Sequence, residues 1–299
     1  MRVVILANPV AGHGRARVLV PRLSAALRGG GMEVREAYTR GPGDARTLAG
    51  ELAPERVDAV VSVGGDGTLN EILNGLPDPT LPLGVLPLGT ANVLATELRL
   101  PRTPEALAAL MQRGTLRELD LGLVGARRFL LFVGVGMDGA MVRRVAETRR
   151  GTLGKLKWIG PVLDVVRAWP SQALRLSLDG RDQGSAWTEI LVSQVRSYGG
   201  VFVLPRPPAA ATGRLTLFGF RQGTRARWLH ACLRALAGRL RPGRDLVLLE
   251  GRVVRIESDP PAPWQVDGEY GGTTPVEVRL DGRRARCFAP APAAERGQG

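Results

Sequence analysis

VVSVGGDGTLNEILNG, residues 60–75, sets a run of valines broken by Ser62 directly before Gly64-Gly65-Asp66-Gly67-Thr68. Beyond the glycines, Leu69, Ile72, Leu73 and Leu76 recur at the spacing of one helical face. The stretch predicts a short buried strand, a turn nearly bare of side chains, and a helix. Such a turn lets backbone N–H groups approach a ligand with no Cβ in the way. The helix end that follows adds a partial positive charge suited to phosphate. Thr68 is expected at the N-cap with Glu71 three residues on, as a capping box.

The same strand, turn and helix order extends outward through about residue 118. Strands are predicted over 2–9, 32–39, 57–65 and 81–89, with helical patterns after each. That alternation implies an α/β domain with a mainly parallel sheet. Past residue 118 the period becomes two. Leu119, Leu121 and Leu123 alternate toward Gly125, Leu174 to Leu178 toward Asp179-Gly180, and Val276 to Leu280 toward Asp281-Gly282. Asp-Gly between alternating runs predicts hairpins. The expected organisation is an α/β domain over 1–118 and an antiparallel β domain over 119–289. Helices near 139–169 and 224–240 interrupt the second domain, a late strand is free to return to the first, and 290–299 form a tail.

Composition narrows the function. A hydrophobic fraction of 44% with 23% charged residues is that of a soluble globular chain. No apolar run approaches the ~20 residues that span a bilayer, and the start MRVVILANP is a strand rather than a leader. The expected location is the cytoplasm, at most peripheral at the inner face of the cell membrane. Cys232 and Cys287, with His13 and His230, lack metal-ligand spacing. Net charge is +13, and apart from Lys155 and Lys157 every basic residue is arginine. That surplus favours polyanionic partners. Nucleic acid is the less favoured of these, since aromatic residues are 5% and no helix-turn-helix, zinc-finger or RNP-type segment is present.

Three further strand ends carry the same chemistry: NPVAGHG (8–14), Thr39 closing EAYT, and Gly89-Thr90-Ala91-Asn92. In open α/β sheets ligands bind where strands end, so these loops are expected to converge on one phosphate site. There is no GxxxxGK[ST], and no GxGxxG within a βαβ unit, so phosphate charge must be offset by amides, hydroxyls and a metal. Asp66 then has a reason to lie there, because Mg²⁺ is held by one or two carboxylates plus substrate phosphates.

With NPVAG (8–12), GGDGTLNE (64–71), PLGTANVLA (87–95), GVGMDG (134–139), YGGVF (198–202) and VDGE (266–269) in this order, the sequence resembles the diacylglycerol kinase and sphingosine kinase-like lipid kinases, particularly bacterial members. The resemblance implies a nucleotide-binding α/β domain over 1–118, a β-sandwich-like lipid-substrate domain over 119–289 and a cleft between them. It implies ATP contacts at Asn8, Thr39, Gly64, Gly65, Asp66, Gly67, Thr68, Leu69, Asn70 and Thr90. Glu269 would be the general base for a lipid hydroxyl, and Asp267 with Asp66 would hold Mg²⁺ or orient the reacting groups. On its residues alone, Asp267-Gly268 also reads as a hairpin turn, although it is less turn-like than the other two pairs because Glu follows. One departure is plain: ATGRLTL (211–217) carries Thr212 and Thr216 where the family often has acids linked to a structural metal.

The implied activity is ATP- and Mg²⁺-dependent phosphorylation of a membrane lipid alcohol such as diacylglycerol. A soluble kinase of the NAD kinase type and a non-catalytic, nucleotide-binding membrane regulator are the rivals. Two basic segments bear on the membrane, 149–169 and 224–244. In the second, Leu229, Leu233, Leu236 and Leu240 share a helical face among arginines. The favoured expectation is that these leucines pack on the β domain; the alternative is landing on anionic lipid. At ~1 kcal/mol per basic residue, about four would give a dissociation constant near 1 mM, a transient contact.

Overall fold

Arg2–Ala7 and Ala59–Gly64 have almost no polar face, and they become strands buried along nearly their whole length. The computed structural model describes residues 1–148, 159–168, 173–198, 202–205, 211–221, 225–243 and 246–291. Contacts divide the chain into one unit of Met1–Leu119 with the chain from Arg283 onward, and another of Asp120–Gly282. The basic run 149–158, Gly199 to Val201 of the YGGVF motif, and the tail from 292 lie outside the described residues.

In chain order the first unit contains β1 (Arg2–Ala7), α1 (Ala16–Gly29), β2 (Glu33–Tyr38), α2 (Asp44–Gly50), β3 (Ala59–Gly64), α3 (Asp66–Gly75), β4 (Leu83–Pro87), α4 (Val93–Glu97) and α5 (Pro104–Arg113). The strands pair in parallel in the order β2-β1-β3-β4. β1, β3 and β4 are covered on both faces, which is why their sequences are apolar runs rather than alternations, whereas β2, at the edge of the sheet, reads EVREAY and is mostly exposed. Val3, Ile5, Val61 and Val63 pack with Leu23 and Leu27 of α1 and Met111 of α5. Val4, Leu6 and Val60 are equally buried, and α2 and α3 pack against β1 and β3. Thr103 caps α5 by accepting from the Ala106 amide, and Gly114 ends that helix in the left-handed region.

The chain continues through β5 (Leu116–Val124), β6 (Arg127–Phe129), β7 (Phe132–Gly136), α6 (Met137–Thr148), α7 (Ile159–Ala168), β8 (Arg175–Leu178), β9 (Arg181–Asp182), β10 (Trp187–Ser193), β11 (Ser197–Tyr198) and β12 (Phe202–Val203). It ends through β13 (Leu215–Arg221), α8 (Arg225–Leu236), β14 (Leu246–Gly251), β15 (Val253–Glu257), β16 (Pro263–Val266), β17 (Glu269–Thr273) and β18 (Val276–Phe288). One antiparallel sheet of the second unit runs β14-β13-β10-β7-β16-β17. In the other, β15 lies between β8 and the first half of β18. Alternate residues of the two share a core: Val133, Ile190 and Leu217 from one, Leu176, Ile256 and Val278 from the other.

Two expectations fail here. Asp281-Gly282 makes no hairpin; β18 runs on through it for thirteen residues. Its first residues pair with β15, and near its end Cys287 lies parallel to Leu83 of β4, in the first unit. Asp281 is held instead by Arg128, whose Nε donates to its carboxylate at 2.8 Å. The leucines of the 224–244 segment, three on α8 and Leu240 beyond it, also depart from the favoured reading. Leu240 is buried, but Leu229, Leu233 and Leu236 are 45%, 64% and 51% exposed, so three of the four do not pack on the β domain.

Candidate active site

The helix after the glycines starts earlier than its sequence suggested. Gly65 is the N-cap of α3, no side chain caps it, and Thr68 lies inside the first turn. The capping box is therefore not formed. Glu71 turns to the neighbouring helix, where its carboxylate accepts from the amides of Gly43 (3.0 Å) and Ala45 (3.2 Å) at the start of α2. An anionic acceptor at a helix N-terminus is favourable for the reason the box would have been, but it ties two helices together.

Asp66 does similar work for the next loop. Its Oδ2 accepts from the Val93 amide at 3.0 Å and its Oδ1 from Leu94 at 3.4 Å, at the start of α4. Asn92, at φ 48°, closes the same loop: its Oδ1 accepts from the Gly89 amide at 2.8 Å and its Nδ2 donates to the Gly89 carbonyl at 2.7 Å. At Gly65 and Gly89 the two glycine loops also touch backbone to backbone. A Cβ on Gly89 would stand 2.6 Å from the Cα of Gly65, so no larger residue fits. GGDGT and PLGTAN thus form one locked platform. Burial pushes the Asp66 carboxyl above its ordinary pKa, opposed by the amides of Val93, Leu94, Asp66 and Asn92.

Other expected contacts fall at the same strand ends. The Asn8 amide donates to the Val63 carbonyl, and Thr39 donates to Ala7, so the ends of β1, β2 and β3 are laced together. Asn8 Oδ1 accepts from the Val10 amide, turning the chain into the glycine loop. Gly67 and Thr90 are exposed and Gly65 partly so, whereas Thr68 and Asn70 are buried. Leu69 is 4% exposed and its amide donates to the Gly65 carbonyl, so its side chain and amide are committed within the domain.

In the second unit, Asp267 at φ 48° and Gly268 at φ 83° form the two-residue turn between β16 and β17, with Val266 opposite Glu269. The Asp-Gly pair that looked least turn-like is a hairpin turn. The Asp267 carboxylate accepts from the amides of Leu130 (3.3 Å), Leu131 (3.1 Å) and Phe132 (3.0 Å). Glu269 stands just past the turn, 51% exposed, with Oε2 held by the Arg127 guanidinium at 2.7 Å.

Behind the turn lies a buried polar cluster that sequence reasoning missed. Gln265, fully buried, donates through Nε2 to Asp138 Oδ2 at 2.5 Å and accepts through Oε1 from the Gly268 amide at 2.8 Å. The Tyr198 hydroxyl donates to Asp138 Oδ1, and the Asp138 amide donates to Glu189 at 3.2 Å. Burial drives the Asp138 and Glu189 carboxyls up, Glu189 the further because Asp138 faces it. The one available signal was GVGMDG: a Cβ on Gly134 would stand 1.7 Å from Asp138 Oδ2. Thr212 and Thr216, where acids were expected, offer no carboxylate; Thr212 Oγ1 bonds the backbone of Arg214 and Thr216 is buried. Among the described residues no three His, Cys, Asp or Glu side chains are grouped to hold a metal. A magnesium ion on a nucleotide needs only one or two carboxylates besides the phosphates, and half-buried Asp66 on the glycine platform fits that need. No described helix is long and apolar enough to cross a membrane.

Residues 2–124 match the model of the diacylglycerol kinase catalytic domain, and residues 132–288 match that of the YegS C-terminal NAD kinase beta sandwich-like domain. The chain is 26% identical over 279 residues to a diacylglycerol kinase of Bacillus subtilis (strain 168), covering 92% of each chain. It is also 26% identical over 284 residues to a diacylglycerol kinase of Staphylococcus carnosus (strain TM300), covering 92% of this chain and 90% of that one. The crystal structure of a diacylglycerol kinase from Bacillus anthracis str. Sterne superposes with a TM-score of 0.73 at 20% identity, covering 97% of both chains, a likeness of fold. Two successive family models, together covering most of the chain, place it in the diacylglycerol kinase family of lipid kinases.

Proposed function

We propose that this chain transfers the γ-phosphoryl group of ATP, with Mg²⁺, to the hydroxyl of a diacylglycerol-like membrane lipid. The observation that carries the reading is Glu269: an exposed carboxylate on a hairpin tip whose turn is held by three backbone amides through Asp267. Phosphoryl transfer needs alignment, charge neutralisation and a base for the alcohol more than covalent help. The glycine platform of the first unit would receive the phosphates on backbone amides, with Asn8, Thr39 and Thr90 at neighbouring strand ends. Asp66 would hold the magnesium, which offsets phosphate charge when bound. Asp267 would act by orientation, because its carboxylate ties the hairpin turn to three successive amides, whereas Asp66, although it too accepts from amides, stands on the phosphate platform itself. Glu269 would take the proton of the lipid hydroxyl as its oxygen bonds to the γ-phosphorus and ADP leaves. Arg127, holding Oε2, would aim the other oxygen at the alcohol.

The membrane part of the proposal draws on α8. Its exposed Leu229, Leu233 and Leu236 stand among exposed Arg225, Arg227, Arg234 and Arg239, a face suited to anionic lipid. The test is transfer of labelled phosphate from ATP to diacylglycerol in mixed anionic vesicles, with Glu269→Gln beside the parent protein.

A further inference from the structure

We infer that Gln265 is a positioning residue for Glu269, acting through the Gly268 amide with Asp138 as its fixed anchor. The inference rests on Glu269 being the base. Gln265 sits on β16, three residues before the Gly268 amide it binds. Trp264 pairs with Gly272 and Gln265 with Tyr270, so the extra residue of the bulge, Gly271, lies on β17 and bends the strand that begins at Glu269. An uncharged amide buried completely is costly unless both ends are bonded, and here both are. Its orientation is dictated by chemistry: a carboxylate on one side can only be met by Nε2, so Oε1 must face the turn.

Asp138 cannot drift. It lies in the first turn of α6, its other oxygen accepts from Tyr198 on β11, and its amide is tied to Glu189 on β10. Three elements therefore hold one carboxylate, and Gln265 passes that fixed position to the residue immediately before Glu269. Asp267 pins the turn from its own carboxylate; Gln265 pins the following peptide. Together they set the direction in which β17 leaves the turn, and with it where the Glu269 carboxylate stands.

The experiment uses the full chain with dioctanoylglycerol and ATP. Gln265→Leu preserves bulk and removes both bonds. The expected result is a 10- to 100-fold fall in kcat, a KM for ATP within twofold of the parent, and at least tenfold faster hydrogen exchange at the Gly268 amide. Asp138→Asn should do the same by another route: its Oδ1 keeps accepting from the Tyr198 hydroxyl, its new NH₂ faces Gln265, and the glutamine turns its Oε1 to that NH₂ and leaves Gly268 without an acceptor. Adding Gln265→Glu to Asp138→Asn exchanges acid and amide, restores both bonds, and should recover kcat to within fivefold and slow the Gly268 exchange again. That rescue also covers the case in which Gln265→Leu fails to fold. A wild-type kcat in Gln265→Leu overturns the inference, as does an equal loss in kcat and ATP affinity, or a double variant no better than Asp138→Asn. Glu269→Gln separates the two claims: if it keeps activity the base reading fails, whereas loss of activity with unchanged Gly268 exchange leaves the positioning claim to the rescue.

Discussion

Asp267→Asn tests whether this carboxylate anchors the turn or binds a metal. Asparagine tolerates the left-handed backbone of Asp267, so the turn itself survives. The new Oδ1 keeps the amides of Leu131 and Phe132, but an NH₂ now faces the Leu130 amide, which had donated at 3.3 Å. Losing one hydrogen bond to a charged acceptor costs about 1.5–3 kcal/mol, and the length of this one favours the lower end. At roughly 2–4 °C per kcal/mol for a chain of this size class, the melting temperature should fall by about 3–8 °C. The kcat should stay within fivefold, and the Mg²⁺ concentration giving half-maximal rate should not move. Thermal melting and initial rates across a Mg²⁺ titration measure both. An unchanged melting temperature with a tenfold higher Mg²⁺ requirement would refute the anchoring argument.

Glu71→Ala should destabilise the first unit by about 1–2 kcal/mol, because two amides at the start of α2 lose an anionic cap; urea denaturation reads it, and a change below the error of the midpoint contradicts it. Glu189→Gln should stabilise the protein at pH 8 and not at pH 4. The folded state holds Glu189 protonated well above its ordinary range, so native stability falls as pH rises past the unfolded carboxylate value, by up to ~1.4 kcal/mol per pH unit for one proton. Melting curves at pH 4, 6 and 8 that run parallel for parent and variant would contradict that sign. Leu233→Asp on α8 should weaken co-sedimentation with anionic vesicles at least fivefold while leaving the rate on dioctanoylglycerol within twofold; equal binding by the variant removes α8 from the membrane proposal.

The first unit was legible because burial on both faces leaves β1, β3 and β4 as apolar runs, and its helices show one apolar face at helical spacing. Turns were legible only in part. Asp179-Gly180 and Asp267-Gly268 both form hairpins, yet Asp281-Gly282 lies within β18, because what Val276–Phe288 pairs with is decided by distant strands. Thr68-x-x-Glu71 has the spacing of a capping box, but α3 starts three residues sooner, with Gly65 at its N-cap packed against Gly89, and Glu71 caps α2 instead. The spacing around Asp66 suggests a metal acid; its bonds to Val93 and Leu94 show a structural duty that no spacing reveals. Gln265 and Asp138 are far apart in sequence, and only the packing of α6 beside β16 makes them partners.

The most direct test is the fate of labelled phosphate. Parent protein given γ-labelled ATP, Mg²⁺, anionic vesicles with diacylglycerol, and NAD should place label in the lipid fraction. Glu269→Gln should lower that transfer by about 10²–10⁴-fold, the range for loss of a general base, while ATP binding stays within twofold. Label in NAD rather than lipid, or a Glu269→Gln variant that keeps more than a tenth of the lipid transfer, would contradict the account.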